Sequence, residues 1–141
     1  MALDVSKALY SRLTSYTTLT NLVGTKIAPM EAPQSWPLPY VTYFIVSDPP
    51  THAMLNDASI GNPRVQVSSW AETYANVKNI ARAVRSALKD YQGTITVSST
   101  SLVIQRIFYE DQVEIKEIDE GVSDVSAVTY HISQDFTVWH D

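Results

Sequence analysis

Cysteine is absent from the 141 residues, which excludes disulfides, thiolate metal sites and cysteine nucleophiles together and leaves the redox compartment open. Glycine is scarce, with four in the chain and none in a G-x-G-x-x-G or Walker arrangement, so no loop is built to cradle a nucleotide phosphate. Of the three histidines, His52, His131 and His140, none stands at metal-ligand spacing from another, and all three read as surface residues. A G-x-S-x-G nucleophile turn is missing as well. No apolar run approaches the ~20 residues that a membrane-spanning helix needs. The start, Met1-Ala2-Leu3-Asp4, lacks the basic region and apolar run of a signal peptide. These absences lead to the expectation of a soluble, non-enzymatic chain made in a cytoplasm, with no catalytic residue, metal, cofactor or membrane partner.

Basic charge is missing from one end. Residues 1–109 hold nine Lys/Arg and six Asp/Glu, whereas residues 110–141 hold one Lys and nine Asp/Glu. An acidic C-terminal part argues against a broad nucleic-acid surface there and favours opposite patches that attract each other between identical subunits.

What is present is hydrophobic periodicity, and the chain is organised around residues 64–91. Arg64 to Trp70 alternates, with Val65 and Val67 on one face and Arg64, Gln66 and Ser68 on the other, as in a half-buried strand. From Tyr74 the period changes. Tyr74, Val77, Ala81, Val84, Leu88 and Tyr91, widened by Ile80 and Ala87, form one face of a helix of about 18 residues and roughly 27 Å, with Gly93 as its stop. Its opposite side carries Lys78, Arg82, Arg85 and Lys89.

Upstream, Val5, Leu9, Leu13 and Tyr16 predict a helix over 3–16 with Asp4 as N-cap, and a second short helical turn ends at Gly24. Residues 26–28 read as a short edge strand. Pro29, Pro33, Pro37 and Pro39 with Trp36 make 29–39 an extended loop. Tyr40 to Ser47 is β-branched and aromatic on both parities, a central strand that Pro49-Pro50 ends. Residues 51–62 read as a loop or hairpin tip, 94–97 and 102–109 as strands around a polar Ser98–Ser101 turn, and 127–139 as the closing strand. In that strand Val128, Tyr130, Ile132, Phe136 and Val138 share one parity, and Thr129, His131, Ser133 and Asp135 share the other. Between the last two strands acids cluster and Val113, Ile115 and Ile118 are sparse, so 110–126 is expected to be a projecting acidic loop. The sum is one α+β domain over 1–141, a mainly antiparallel sheet of four to five strands with two helices packed on one face.

Three pieces resemble one family. Leu9 to Leu22 followed by Gly24-Thr25-Lys26-Ile27, then Ala32-Pro33-Gln34 with Leu38-Pro39-Tyr40-Val41, then Arg64 to Ala71 with Tyr74, Ala81, Val84 and Ala87-Leu88 are similar to segments of the tail-terminator, or tail-completion and tail-to-head joining, proteins of long-tailed bacteriophages. The resemblance implies a homo-oligomer, a hexameric ring on the head-proximal end of the virion tail. Such a ring caps the tail tube protein, ends tail polymerisation and meets a head-completion or connector protein, and DNA passes through without specific binding. On that reading Lys78, Arg82, Arg85 and Lys89 face Glu114, Glu117, Asp119 and Glu120 of a neighbouring subunit; alternatively those four acids line the lumen. The rival readings are a head-completion or stopper connector protein and a small-molecule-binding α+β domain.

Overall fold

Asp4 starts the first helix by accepting the backbone N–H of Ser6 at 2.7 Å, which satisfies one of the donors that a helix leaves open at its beginning. That helix, α1 (Val5–Ser15), buries Val5, Ala8, Leu9 and Leu13, the predicted stripe. Tyr16 breaks it with extended backbone, α2 (Thr17–Val23) follows, and Gly24 ends α2 at φ 64°, a conformation glycine adopts without a Cβ penalty. The structure is a computed structural model that describes residues 4–33, 35–48, 61–118 and 128–140. The expected features at Pro49-Pro50, at 51–60 and at 119–127 lie outside the described residues.

Among the described residues six strands form one sheet: β1 (Ile27–Pro29), β2 (Tyr40–Ser47), β3 (Arg64–Ala71), β4 (Gly93–Val97), β5 (Thr100–Ile118) and β6 (Val128–His140), in the order β1-β2-β3-β6-β5-β4. This is more than the four to five strands expected, and three helices rather than two accompany them. β1 is the predicted edge strand, and it runs parallel to β2 while every other pair is antiparallel. The proline-rich segment carries the chain back so that both strands can run the same way, the part that a crossover helix plays elsewhere. β2 pairs with β3 and β5 with β6, as the sequence predicts for neighbours joined by a loop.

The largest correction concerns residues 110–118. They are not a loop: they continue β5 and pair with β6 down to Ile118 opposite Val128. The ladder is made by backbone groups, which pair whether or not the side chains are apolar, so an acidic sequence is no bar to a strand that has a partner. A register shift between Tyr109 and Asp111 absorbs one residue. Tyr109 and Gln112 therefore both point to the helix side, and Asp111 and Val113 to the other.

The main helix, α3 (Tyr74–Leu88), is shorter than predicted. Thr73 caps its start by accepting the N–H of Asn76 at 3.2 Å. Its stop is Asp90 at φ 61°, a left-handed position that aspartate tolerates better than most residues, and Gly93 instead opens β4. Tyr91 thus lies beyond the helix, and Tyr74 is 48% exposed rather than in the core. The buried stripe is Val77, Ile80, Ala81, Ala83, Val84, Ala87 and Leu88; Ala83 joins it because α2 packs on that flank. The turn between β4 and β5 is tighter than the four residues predicted: only Ser98 and Ser99 turn, at φ 49° and 71°, the positive pair a two-residue hairpin loop demands.

Helices α1 and α3 lie on the same side of the sheet. α3 covers β3, β6 and β5, while α1 packs against both outermost strands, β1 and β4. Pro29 of β1 and Val97 of β4 line one cleft together with Tyr10 and Tyr43, so the sheet curls around its helices. Among the described residues, no helix lies on its other face.

Candidate assembly surfaces

Two faces carry the side chains that can act outward. The first is the polar side of α3. Lys78 Nζ lies 2.7 Å from Glu114 Oε1, and the Tyr74 hydroxyl donates to the other oxygen at 2.8 Å. The Glu114 carboxyl is held below its ordinary pKa by the Lys78 and then the Tyr74 hydrogen bond, and the Lys78 ammonium is raised by the bond to Glu114. Arg85 lies over the Tyr109 ring, 4.6 Å from its centroid. Arg82 and Lys89 are exposed and form no ion pair among the described residues. Lys78, Arg82 and Arg85 border a notch of about 170 Å³ whose floor is Gln112 and Gln134; Lys89 does not reach it.

Gln134 is fully buried there. Its Nε2 donates to the Ala81 carbonyl at 3.0 Å and to Gln112 Oε1 at 3.2 Å, and Gln112 Oε1 also accepts the Tyr109 hydroxyl at 2.8 Å. Both Gln134 donor bonds run to carbonyl oxygens, which fixes the amide's orientation and leaves its Oε1 buried without a hydrogen bond.

Within one chain, Lys78 of the basic stripe pairs with Glu114; the expected contact of the stripe with acids of a neighbouring subunit concerns a second copy of the chain. Glu117 stands in β5 opposite Thr129, while Asp119 and Glu120 lie outside the described residues.

The second face is the uncovered side of the sheet. Trp70 and His131 are cross-strand partners whose rings stack 3.8 Å apart at 9°, and Tyr40 packs against Trp70 at 6.0 Å. His131 is consequently 8% exposed, a buried residue and not the surface residue predicted. The Trp70 indole donates to Thr42 at 3.3 Å. Ser133 joins His131 Nε2 at 2.9 Å, and Gln66 donates to Ser133 at 3.3 Å. A serine and a histidine in contact could start a catalytic triad, but Asp135, the acid on the same face of β6, is engaged by Arg64 at 2.9 Å, and Trp70 covers the imidazole. The network ties strands together. The Arg64 guanidinium is raised by its hydrogen bond and charge interaction with Asp135, and Glu110 and Asp111 add to the field. Beside this pair, Asp111, Asp135, Val113, Ile115 and Gln66 border a second notch of about 240 Å³. Val113 and Ile115 are 49% and 40% exposed, and Val46, Val103 and Phe108 are exposed on the same face.

The sequence points to the basic stripe but not to this network. The available signal was that Trp70 and His131 fall on the polar parity of their strands; what was missing was the register that makes them partners.

No curated protein matches the sequence. Among solved structures, one chain from the "Virion of native gene transfer agent (GTA) particle" superposes with a TM-score of 0.70 at 17% identity, covering 96% of this chain and 93% of that one. This likeness shows a shared fold. The model of the family described as "Tail completion protein gp17" matches residues 7–141, so this chain belongs to the tail completion protein gp17 family, as its resemblance to tail-completion proteins implied.

Proposed function

We propose that the protein is a structural virion component that caps the tail tube as a ring, ends tail polymerisation and forms the surface that joins tail to head. The family match over residues 7–141 carries this reading. The surfaces support it: Lys78 with Glu114 and Arg64 with Asp135 are paired within the chain, Arg82 and Lys89 are left for an outside partner, and the chain's charges are unequally placed. In such a ring, one patch of each subunit meets a different patch of the next. Lys78, Arg82, Arg85 and Lys89 form the basic half of that contact. Because Lys78 already holds Glu114, the remaining acids Glu117, Asp119 and Glu120 are assigned to the lumen, where like charge keeps passing DNA from adhering.

Electron microscopy of particles lacking the protein tests the role. Separate full heads with overlong tails are expected, and tails of normal length joined to heads would end the proposal. Neutralising Glu117, Asp119 and Glu120 tests the lumen. Intact rings with slowed DNA ejection are expected, whereas loss of rings would move these acids to the subunit contact.

A further inference from the structure

The two notches lie on opposite faces of the same strand pair. Gln112 and Gln134 point toward α3 and floor the basic notch; one residue along, Val113 and Ser133 point away and border the acidic one. At about 170 and 240 Å³ they fall below the roughly 300–1,000 Å³ of small-molecule sites and suit single side chains. Their charges are complementary. The α3 side offers Arg82, exposed and with no ion pair among the described residues. The other side offers Asp111 and Asp135. One oxygen of Asp111 accepts the Gln112 N–H at 2.8 Å and one oxygen of Asp135 accepts Arg64 at 2.9 Å, and the second oxygen of each has no hydrogen bond among the described residues. The exposed Val113 and Ile115 flank these acids, an apolar bed for the methylene stem of an arginine.

From this we infer that the acidic notch is the receptor for α3 of a second copy of the chain: Arg82 of one subunit enters between Asp111 and Asp135 of the next, with its stem against Val113 and Ile115. A self-complementary pair of surfaces placed back to back cannot close as a two-fold dimer. It propagates head to tail, so each subunit is receptor on one side and insert on the other. Arg82 is the insert because Lys78 and Arg85 are already held by Glu114 and Tyr109. This rests on the ring reading above and names the contact that would build the ring.

The absence of cysteine makes the contact directly testable. Arg82→Cys combined with Asp111→Cys is treated with a short bis-maleimide, both in isolated tails and as concentrated purified protein, with circular dichroism to confirm folding. A ladder of covalent dimers, trimers and higher species from the double variant, and none from either single variant, is the expected result. Dimers from Arg82→Cys alone would mean a two-fold contact and overturn the inference, as would no ladder in either sample. In parallel, Arg82→Asp or Asp111→Arg alone should lower subunit association at least about tenfold through like-charge contact, and the two together should restore it. Wild-type assembly by both single variants overturns the proposal. A ladder together with normal tails in particles lacking the protein would instead keep the contact and remove the tail-capping role.

Discussion

Replacing Gln134 by leucine should be almost neutral for stability, although the side chain is fully buried and doubly hydrogen-bonded. The substitution removes two donor bonds, each contributing about 0.5–1.5 kcal/mol net. Neither partner is stranded, because the Ala81 carbonyl lies inside α3 and keeps its helical bond, and Gln112 Oε1 keeps the Tyr109 hydroxyl. Against that loss, the variant removes a buried acceptor that has no hydrogen bond, a feature that costs roughly 1–3 kcal/mol. The opposing quantities, each roughly 1–3 kcal/mol, centre the net change on zero and hold it within about 2 kcal/mol in either direction. Gln134→Ala is the contrasting variant: it forfeits the same bonds and leaves a void, and it should lie about 2–4 kcal/mol below the leucine variant, as in large-to-small core changes. Urea unfolding followed by tryptophan fluorescence measures both, provided that the slope of free energy against denaturant stays constant. A leucine variant more than about 2 kcal/mol less stable than wild type would refute the reasoning and show that Gln134 Oε1 is strongly bonded in the folded state.

Burial, with smaller contributions from Tyr10 and Asp4, pushes the Tyr43 hydroxyl up to about 12. Its contribution to stability is therefore full below the ordinary value of 10.0 and is lost as the pH rises from there toward about 12, a loss that Tyr43→Phe should not show in alkaline unfolding curves. Glu114 is displaced the other way: its contribution is complete above the ordinary 4.5 and disappears as the pH falls through its lowered folded value. Stability of Glu114→Gln measured against pH should thus converge on wild type in acid, and a difference that stays constant down to that range would rule out the Lys78 pairing as its source. Thr73→Ala removes the cap of α3 and should cost about 1 kcal/mol in denaturant unfolding, with Thr73→Ser recovering most of it. Phe136→Ala, at a fully buried ring against Tyr109, should cost about 3–5 kcal/mol.

The sequence exposes the elements whose signal is local. Val77 to Leu88 sit at unbroken helical spacing, Val65 and Val67 alternate beside Gln66, and Asp4 and Gly24 bracket the N-terminal helices where capping chemistry predicts. It conceals what depends on a distant partner. Residues 110–118 carry too little apolar character to read as a strand, and they become one because β6 supplies the other half of each backbone bond. His131 looks like a solvent-facing residue until Trp70, far away in the chain, is set beside it by the β3–β6 register. The candidate surfaces divide the same way. The cations of α3 were visible as a stripe, but Glu114 as the internal partner of Lys78 was not, since that contact needs the extended β5. Asp111 and Asp135 could not be joined into one notch without the strand pairing that places them opposite each other.

The strand order has a consequence for how the molecule is made. β3 is paired with β2 on one side and β6 on the other, and β5 with β4 and β6. Until the 13-residue β6 has left the ribosome, the chain can hold only two separate parts of this sheet, β1-β2-β3 and β4-β5, with the edges of β3 and β5 that β6 will fill unpaired. β6 is the strand that joins them, so the sheet cannot be completed before residues 128–140 have been made. A messenger truncated within the codons for residues 128–140 would yield two sticky halves in place of a slightly shortened protein.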